Sequence, residues 1–325
     1  MNVIITGATG SLGRALVQHF AAKGDHVYAY GRWKNPPEPL AAIAHYFSAD
    51  ITQPLSFPEA EVCIHAAALS DDKGEEQQFL DANVNGTLNV MRAAKQCRVF
   101  IYISSSSVYM PAPFPLREEE AGRDGMEDLS AYGRSKLLSE NALKEQFNGT
   151  SCFILRPRAL YGPGDIKILP RMLKLVKNET IFRPGPMQIR VSMTHYRNLM
   201  AAIDCCIANE ATGVRTYNVS DEQTYILADV VRKLMAAIYG KPLAEKQRPV
   251  WLLKALAKFH IGGITPLLVR SLTNDMVLDI SRMKKEMQYR AVTDFDQSLP
   301  ELTAWVKSAG GPEVLREAEK TLAWK

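Results

Sequence analysis

No Cys-x-x-Cys pair occurs in this chain, and its five cysteines (Cys63, Cys97, Cys152, Cys205 and Cys206) are odd in number. A disulfide framework and a zinc centre are therefore not indicated, and no metal site is expected. Free thiols, buried in a reducing cytoplasm, are the expectation. No apolar run reaches the ~18 residues that a membrane span needs. The first residues enter Asn2-Val3-Ile4-Ile5-Thr6 directly, without the basic segment and apolar core of a signal peptide. Charge of one sign is also scarce. The net charge is +4, and no lysine or arginine run forms a stripe for nucleic acid. There is no internal repeat and no low-complexity tract.

What is present is an alternation of apolar strands and amphipathic helices. Strands are predicted at 3–6, 26–30, 46–49, 61–65, 99–104 and 152–155. Helices are predicted at 11–23, 79–96 and 129–147. The alternation implies a Rossmann-type, doubly wound parallel sheet with helices on both faces. Residues 1–165 form this dinucleotide-binding core and carry the catalytic residues. Residues 166–325 form a smaller, mostly helical substrate lobe, interleaved with the core because 194–230 returns to the sheet. In this half, helices are predicted at 168–177, 195–208 and 228–239, with a strand at 216–219.

Thr6-Gly7-Ala8-Thr9-Gly10-Ser11-Leu12-Gly13 stands between the first strand and the first helix. Gly7 permits a sharp turn, Gly10 lets a pyrophosphate approach the backbone, and Gly13 lets helix and sheet pack closely. Free N–H groups at Thr9, Ser11 and Leu12 then face the negative charge. The second strand ends Ala29-Tyr30-Gly31-Arg32 with no acidic residue, so Arg32 favours the 2′-phosphate of NADP(H) over NAD(H), which is the alternative cofactor. Asp50 and Ile51 suit the adenine edge. The small residues Ala66, Ala67 and Ala68 let a cofactor lie close to the chain. His65 reads as a core histidine.

Tyr132 and Lys136 are four apart in a predicted helix, so both side chains share one face. A neighbouring ammonium, with a positive nicotinamide ring, lowers a phenol's pKa and makes it a proton donor or acceptor near neutrality. Ser104-Ser105-Ser106-Ser107 ends the fifth strand, where an open parallel sheet places its ligands.

These pieces resemble the extended short-chain dehydrogenase/reductase family. The matching segments are 6–13, Asp50-Ile51, His65–Ala68, Asn83-Val84-Asn85-Gly86-Thr87, Ser104–Tyr109, Tyr132-x-x-x-Lys136 and Arg156-Pro157-Arg158-Ala159-Leu160-Tyr161-Gly162-Pro163. By that resemblance Ser105 is the catalytic serine, Asn83 braces the cofactor side, Pro157 contacts the nicotinamide end, and two long helices pack a homodimer. Residues 183–199 depart from the sugar-nucleotide pattern and look like the 3β-hydroxysteroid dehydrogenase-like branch. Ser106, Tyr161 and Arg190 are candidate substrate contacts. Arg190 equally suits a surface ion pair, and His195 a structural place in its helix. The apolar segment 250–269 either covers a hydrophobic ligand, rests on a membrane surface or packs on the core. The leading expectation is an NADP(H)-dependent alcohol/ketone oxidoreductase acting on a small hydrophobic molecule. A nucleotide-sugar epimerase or dehydratase is second, and a non-catalytic NADP(H) sensor third.

Overall fold

Strict two-residue alternation of apolar side chains builds the centre of the molecule. The computed structural model describes residues 1–70, 74–258, 266–317 and 323–324. Six strands, β1 (Asn2–Thr6), β2 (His26–Gly31), β3 (His45–Ser48), β4 (Val62–His65), β5 (Val99–Ile103) and β6 (Ser151–Pro157), pair in parallel with a seventh, Gly213–Val219. The order across the sheet is Gly213–Val219, β6, β5, β4, β1, β2, β3. Along β1, Val3 and Ile5 enter one core while Ile4 enters the other; Ile101 and Ile103 of β5 are separated from Phe100 and Tyr102 in the same way. The first core is closed by the helices Ser11–Ala22 and Tyr196–Ala208, the second by Gly86–Ala93 and Ala131–Gln146. This is the doubly wound sheet that the alternation predicts. Successive strands run outward from β1 in both directions, so the crevice beyond β1 and β4 is the topological switch point where such sheets take ligands.

A third core belongs to the C-terminal lobe. It joins Leu169 and Leu173, Val230, Val231 and Leu234, and Phe295, Leu302 and Trp305. Gly213–Val219 pairs along its full length with β6, from Gly213 opposite Ser151 to Val219 opposite Pro157.

Several boundaries differ from expectation. The helix predicted at 168–177 ends at Leu173. Val176–Lys177 instead forms a hairpin with Thr180–Pro184, turned by Asn178 and Glu179, both at positive φ (47° and 52°). Two consecutive left-handed residues match the twist of a tight hairpin, a conformation that glutamate does not advertise. The long helix predicted at 79–96 is interrupted by a π-helical turn, Leu80–Asn85, between Glu76–Phe79 and Gly86–Ala93. No described helix is long and apolar enough to cross a membrane. Within 250–269, the helix Val250–Lys258 buries Leu253 and Ala257 against Val269 and leaves Trp251 70% exposed. Phe259, Ile261 and Ile264 lie outside the described residues.

Candidate active site

The glycine turn is shaped by close approaches that the sequence pattern implies. Gly7 has φ +77°, and a Cβ there would come within 2.8 Å of the Ala67 amide nitrogen. At Gly13 an added Cβ would lie 2.1 Å from the Gly7 carbonyl oxygen. Gly10 differs: an added Cβ would meet nothing closer than 3.5 Å. The chain's own packing therefore does not require glycine at that position. A pyrophosphate approaching the backbone does, so the turn fits a dinucleotide. Gly31, at the end of β2, admits the side chain of Thr9, whose Cγ2 lies 2.9 Å from where a Cβ would stand. Arg32 follows, exposed and without an ion pair among the described residues. Asp50 closes a turn, its carboxylate accepting from the Thr52 N–H and Oγ1 at 2.9 Å each. Ile51 lies against Gly86.

Ala66–Ala68 are half-buried beside the turn; the Ala67 N–H donates to Thr6 Oγ1 at 3.3 Å, and Asn83 holds the next residue, Leu69. The Asn83 Oδ1 accepts from the Leu69 N–H at 2.7 Å. Its Nδ2 donates to the Leu69 carbonyl at 2.9 Å and to Ser135 Oγ at 2.8 Å. Asn83 lies in the π-helical turn, and its carbonyl accepts from Thr87 Oγ1 and from Ser139 Oγ at 2.7 Å. One amide thus ties the loop after β4 to the helix that carries Tyr132 and Lys136. His65 completes the frame. Its Nδ1 faces Thr6 Oγ1 at 2.7 Å and its Nε2 faces Thr87 Oγ1 at 3.0 Å. Because Thr87 donates to Asn83, the satisfied arrangement has the proton on Nε2. Burial and then Lys136 lower the His65 pKa to about 3, so the ring is a neutral core group.

Ser130 caps the helix Ala131–Gln146, its Oγ accepting from the Gly133 N–H at 3.0 Å. Gly133 presses on the serine turn, where an added Cβ would stand 2.2 Å from the Ser107 carbonyl. That contact sets the Tyr132 end of the helix against the serine turn, and Ser105 lies near enough to the phenol to oppose the rise in its pKa. Ser105 also caps the short turn after β5, accepting from the Ser107 N–H at 3.1 Å. Ser104 is structural, donating to Glu140, and Ser106 is buried. Lys136 is buried, with Nζ donating to the Ile103 carbonyl at 2.7 Å and to Tyr102 Oη at 3.1 Å.

Electrostatics correct one expectation. The Tyr132 pKa is not lowered by the lysine. Burial raises it to about 12, with the Ser105 hydrogen bond opposing. Within the chain the ammonium is already taken by Ile103 and Tyr102. Burial pulls the Lys136 pKa down to about 7, against the pull of Glu140. Glu140, one turn beyond Lys136, was not singled out from the sequence. It receives Arg156 through both guanidinium faces, Nε at 2.9 Å and Nη2 at 2.5 Å. The i, i+4, i+8 run Tyr132–Lys136–Glu140 on one helical face was the available signal.

The candidate substrate residues separate from this cluster. The Tyr161 hydroxyl donates to Asp221 Oδ2 at 2.8 Å, and the ring stands edge-on to His195. Arg190 forms a surface pair with Asp275, its Nε 2.8 Å from Oδ2, which is the alternative weighed for it from sequence. His195 caps the following helix, accepting from the Arg197 N–H at 3.1 Å. Pro157 ends β6, buried opposite Val219.

A parallel sheet with a glycine-rich phosphate turn and a Ser–Tyr–Lys cluster at its carboxyl edge defines a nicotinamide-dinucleotide enzyme of the short-chain dehydrogenase/reductase type. Residues 3–220 match the model of the NAD dependent epimerase/dehydratase family, and the chain belongs to that family. It is 28% identical to UDP-glucose 4-epimerase of Vibrio cholerae, covering 89% of this chain and 90% of that one. It is 22% identical to 2-alkyl-3-oxoalkanoate reductase of Shewanella oneidensis (93% and 86% covered). It is also 22% identical to sterol-4-alpha-carboxylate 3-dehydrogenase, decarboxylating, of Schizosaccharomyces pombe (94% and 98% covered). The structure of MoeE5 in complex with UDP-glucuronic acid and NAD has the same fold, with a TM-score of 0.75 at 20% identity, covering 95% of this chain and 100% of that one.

The two glycines separate fold from binding. Gly13→Ala is expected to lower stability by on the order of 1–3 kcal/mol in urea denaturation, because backbone must move. Gly10→Ala keeps the wild-type midpoint while weakening dinucleotide binding roughly tenfold or more, read by nicotinamide fluorescence. A Gly10→Ala protein that binds normally would remove the turn from the cofactor site. Lys136 predicts a pH effect. An unfolded lysine titrates near ~10.4, so between pH ~7 and ~10.4 the unfolded chain binds more protons than the folded one. Its contribution to stability therefore rises with pH across that window. Lys136→Met lacks this slope, so the variant loses ground to wild type as pH increases. A stability difference independent of pH would give Lys136 an ordinary pKa.

Proposed function

We propose that this chain interconverts a secondary alcohol and a ketone on a small hydrophobic substrate, with NADP(H). The juxtaposition of Ser105, Tyr132 and Lys136 beside the glycine turn carries this reading. A bound nicotinamide dinucleotide supplies or accepts the hydride. The protein's share is to place the substrate oxygen and move its proton. With its pKa raised to about 12, Tyr132 is a protonated phenol at neutral pH and donates to a carbonyl oxygen as charge grows there. The Ser105 hydroxyl, which in the free chain donates to Ser107 Oγ at 3.0 Å, turns to donate to the same oxygen. Lys136 is fixed by the Ile103 carbonyl, which aims its ammonium along the face it shares with Tyr132. In the oxidative direction the same groups act in reverse from the phenolate, a form that the positive ring of an oxidised nicotinamide would favour, and Tyr132 takes the proton from the alcohol.

Arg32 supports NADP(H): it is an exposed cation at the end of β2, where no carboxylate competes for the ribose. The second reading, a nucleotide-sugar epimerase, is favoured by the 28% identity to the Vibrio cholerae enzyme. An epimerase regenerates its cofactor within each turnover and holds it; a reductase exchanges it.

Tyr132→Phe is expected to cut turnover by about 10²–10⁴-fold while leaving cofactor affinity intact. Wild type binds NADPH exchangeably and more tightly than NADH, and Arg32→Asp loses that preference by roughly tenfold. Co-purifying NAD that resists exchange would transfer the chain to the epimerase reading.

A further inference from the structure

Arg158 is the side chain whose charge nothing else in the molecule explains. It follows β6 directly, at the carboxyl edge that carries the serine turn of β5. β5 and β6 pair with Ile103 opposite Leu155, and the Ser104 N–H donates to the Leu155 carbonyl at 2.7 Å, so the register continues past the last strand residue. One step further Ser105 falls beside Pro157, and Arg158 is the next residue along that edge, where Ser106 has already entered the 3-10 turn Ser106–Val108. The main chain here is fixed. The Arg158 N–H donates to Thr194 Oγ1 at 3.0 Å, and that hydroxyl donates to the Val219 carbonyl at 2.9 Å.

The guanidinium Nε is buried and has no hydrogen-bond partner among the described residues. Arg156, two residues earlier, shows what a structural arginine receives here: both Glu140 oxygens, the Tyr109 hydroxyl and the Glu118 carbonyl. Arg158 has no such carboxylate. Burial lowers its pKa to about 10 with no acid opposing, and it is still a cation at neutrality. A half-buried cation with a buried, unpaired N–H and no counter-charge is costly, and such a group at the carboxyl edge of a sheet marks a place where a ligand brings the anion. The glycine turn that fits the cofactor pyrophosphate follows β1, three strands away across the sheet. Arg190 does not substitute, being paired with Asp275.

Two relatives in different kingdoms narrow the anion. The names 2-alkyl-3-oxoalkanoate reductase and sterol-4-alpha-carboxylate 3-dehydrogenase both put a carboxylate on the carbon next to the one that carries oxygen. The planar guanidinium fork matches a carboxylate through two parallel hydrogen bonds. We propose that Arg158 is a specificity residue that holds the carboxylate of a 3-oxo or 3-hydroxy acid while its 3-oxygen lies at Ser105 and Tyr132. This rests on the alcohol/ketone reading above. It adds a substrate class: β-functional carboxylic acids with an apolar remainder.

The test compares 3-oxodecanoate with its methyl ester, which keeps the ketone and chain but lacks the charge. Wild-type, Arg158→Gln and Arg158→Lys proteins are assayed by NADPH oxidation, with NADPH affinity from fluorescence as the control for folding. Wild type is expected to favour the acid over the ester in kcat/KM by about 100-fold. In Arg158→Gln that ratio collapses toward one, and Arg158→Lys, which keeps charge but not the fork, recovers part of it. A ratio unchanged in Arg158→Gln overturns the proposal, since a merely structural arginine lowers both substrates alike. If wild type reduces neither compound, the alcohol/ketone reading fails separately, and calorimetry with 3-hydroxydecanoate decides the anion site. Binding lost in Arg158→Gln supports it, and no binding to wild type overturns it. UDP-glucose binding that depends on Arg158 would assign the charge to a sugar-nucleotide diphosphate and overturn the carboxylate.

Discussion

Glu140 and Arg156 form a bidentate ion pair at 0% and 1% exposure, and the site is assembled around it. Two charges out of water are tolerated only when geometry and the remaining hydrogen bonds are satisfied. Here they are. The Glu140 Oε1 also accepts from Ser104 Oγ, and the Arg156 Nη1 donates to Tyr109 Oη at 2.6 Å and to the Glu118 carbonyl at 2.7 Å. The pair thereby joins β6, the end of β5, the loop beyond it and the helix of Tyr132. Removing either partner leaves the other charged and buried, a loss of order 3–5 kcal/mol. The helix cannot slide along the sheet without that loss, so the position of Tyr132 relative to Ser105 is set at a point one turn beyond the lysine.

The substrate lobe is attached by the same device with a different donor set. Asp221, buried just past Gly213–Val219, accepts from the His195 N–H, Asn198 Nδ2, Tyr161 Oη and Tyr225 Oη. Asn198 reaches on to the Thr293 carbonyl, at the start of the helix Phe295–Ser308. One carboxylate therefore links the main sheet to the lobe's own core. Tyr161, a candidate substrate contact from sequence, commits its hydroxyl to this attachment, while His195 joins it through its main-chain N–H. Trp324 adds a second tie, its Nε1 donating to the Ala8 carbonyl within the glycine turn.

What the sequence reveals and what it hides divide along range. The glycine turn, the Tyr132–Lys136 pair and the apolar strands β1 and β5 are local patterns, and each appears in the fold where it was read. Asn83 was legible as a brace only through family resemblance. Its partners, Leu69 and Ser135, lie 14 and 52 residues away, and nothing in the local pattern announces a π-helical turn. Glu140 reads locally as a solvated acid because its partner is on a strand. The hairpin at Asn178–Glu179 was hidden by a glutamate in a left-handed conformation. The phenol's pKa was misjudged because an i, i+4 spacing gives proximity on a face but says nothing of burial, and desolvation outweighs a neighbouring charge that is already bonded elsewhere.

Charge satisfaction then distinguishes scaffold from site. In the scaffold each buried charge meets its complement: Arg156 has Glu140, Asp221 has four donors, and Asp165 accepts the N–H groups of Lys167, Ile168 and Leu169. His65 avoids the question by being neutral. The Arg158 Nε, at the carboxyl edge, does not follow this pattern: it is buried and donates to nothing among the described residues. A fold that satisfies buried charge elsewhere leaves this donor at the edge from which Ser105 also leaves the sheet. Such electrostatic detail, more than the shape of the fold, distinguishes among the many chemistries that this sheet can host.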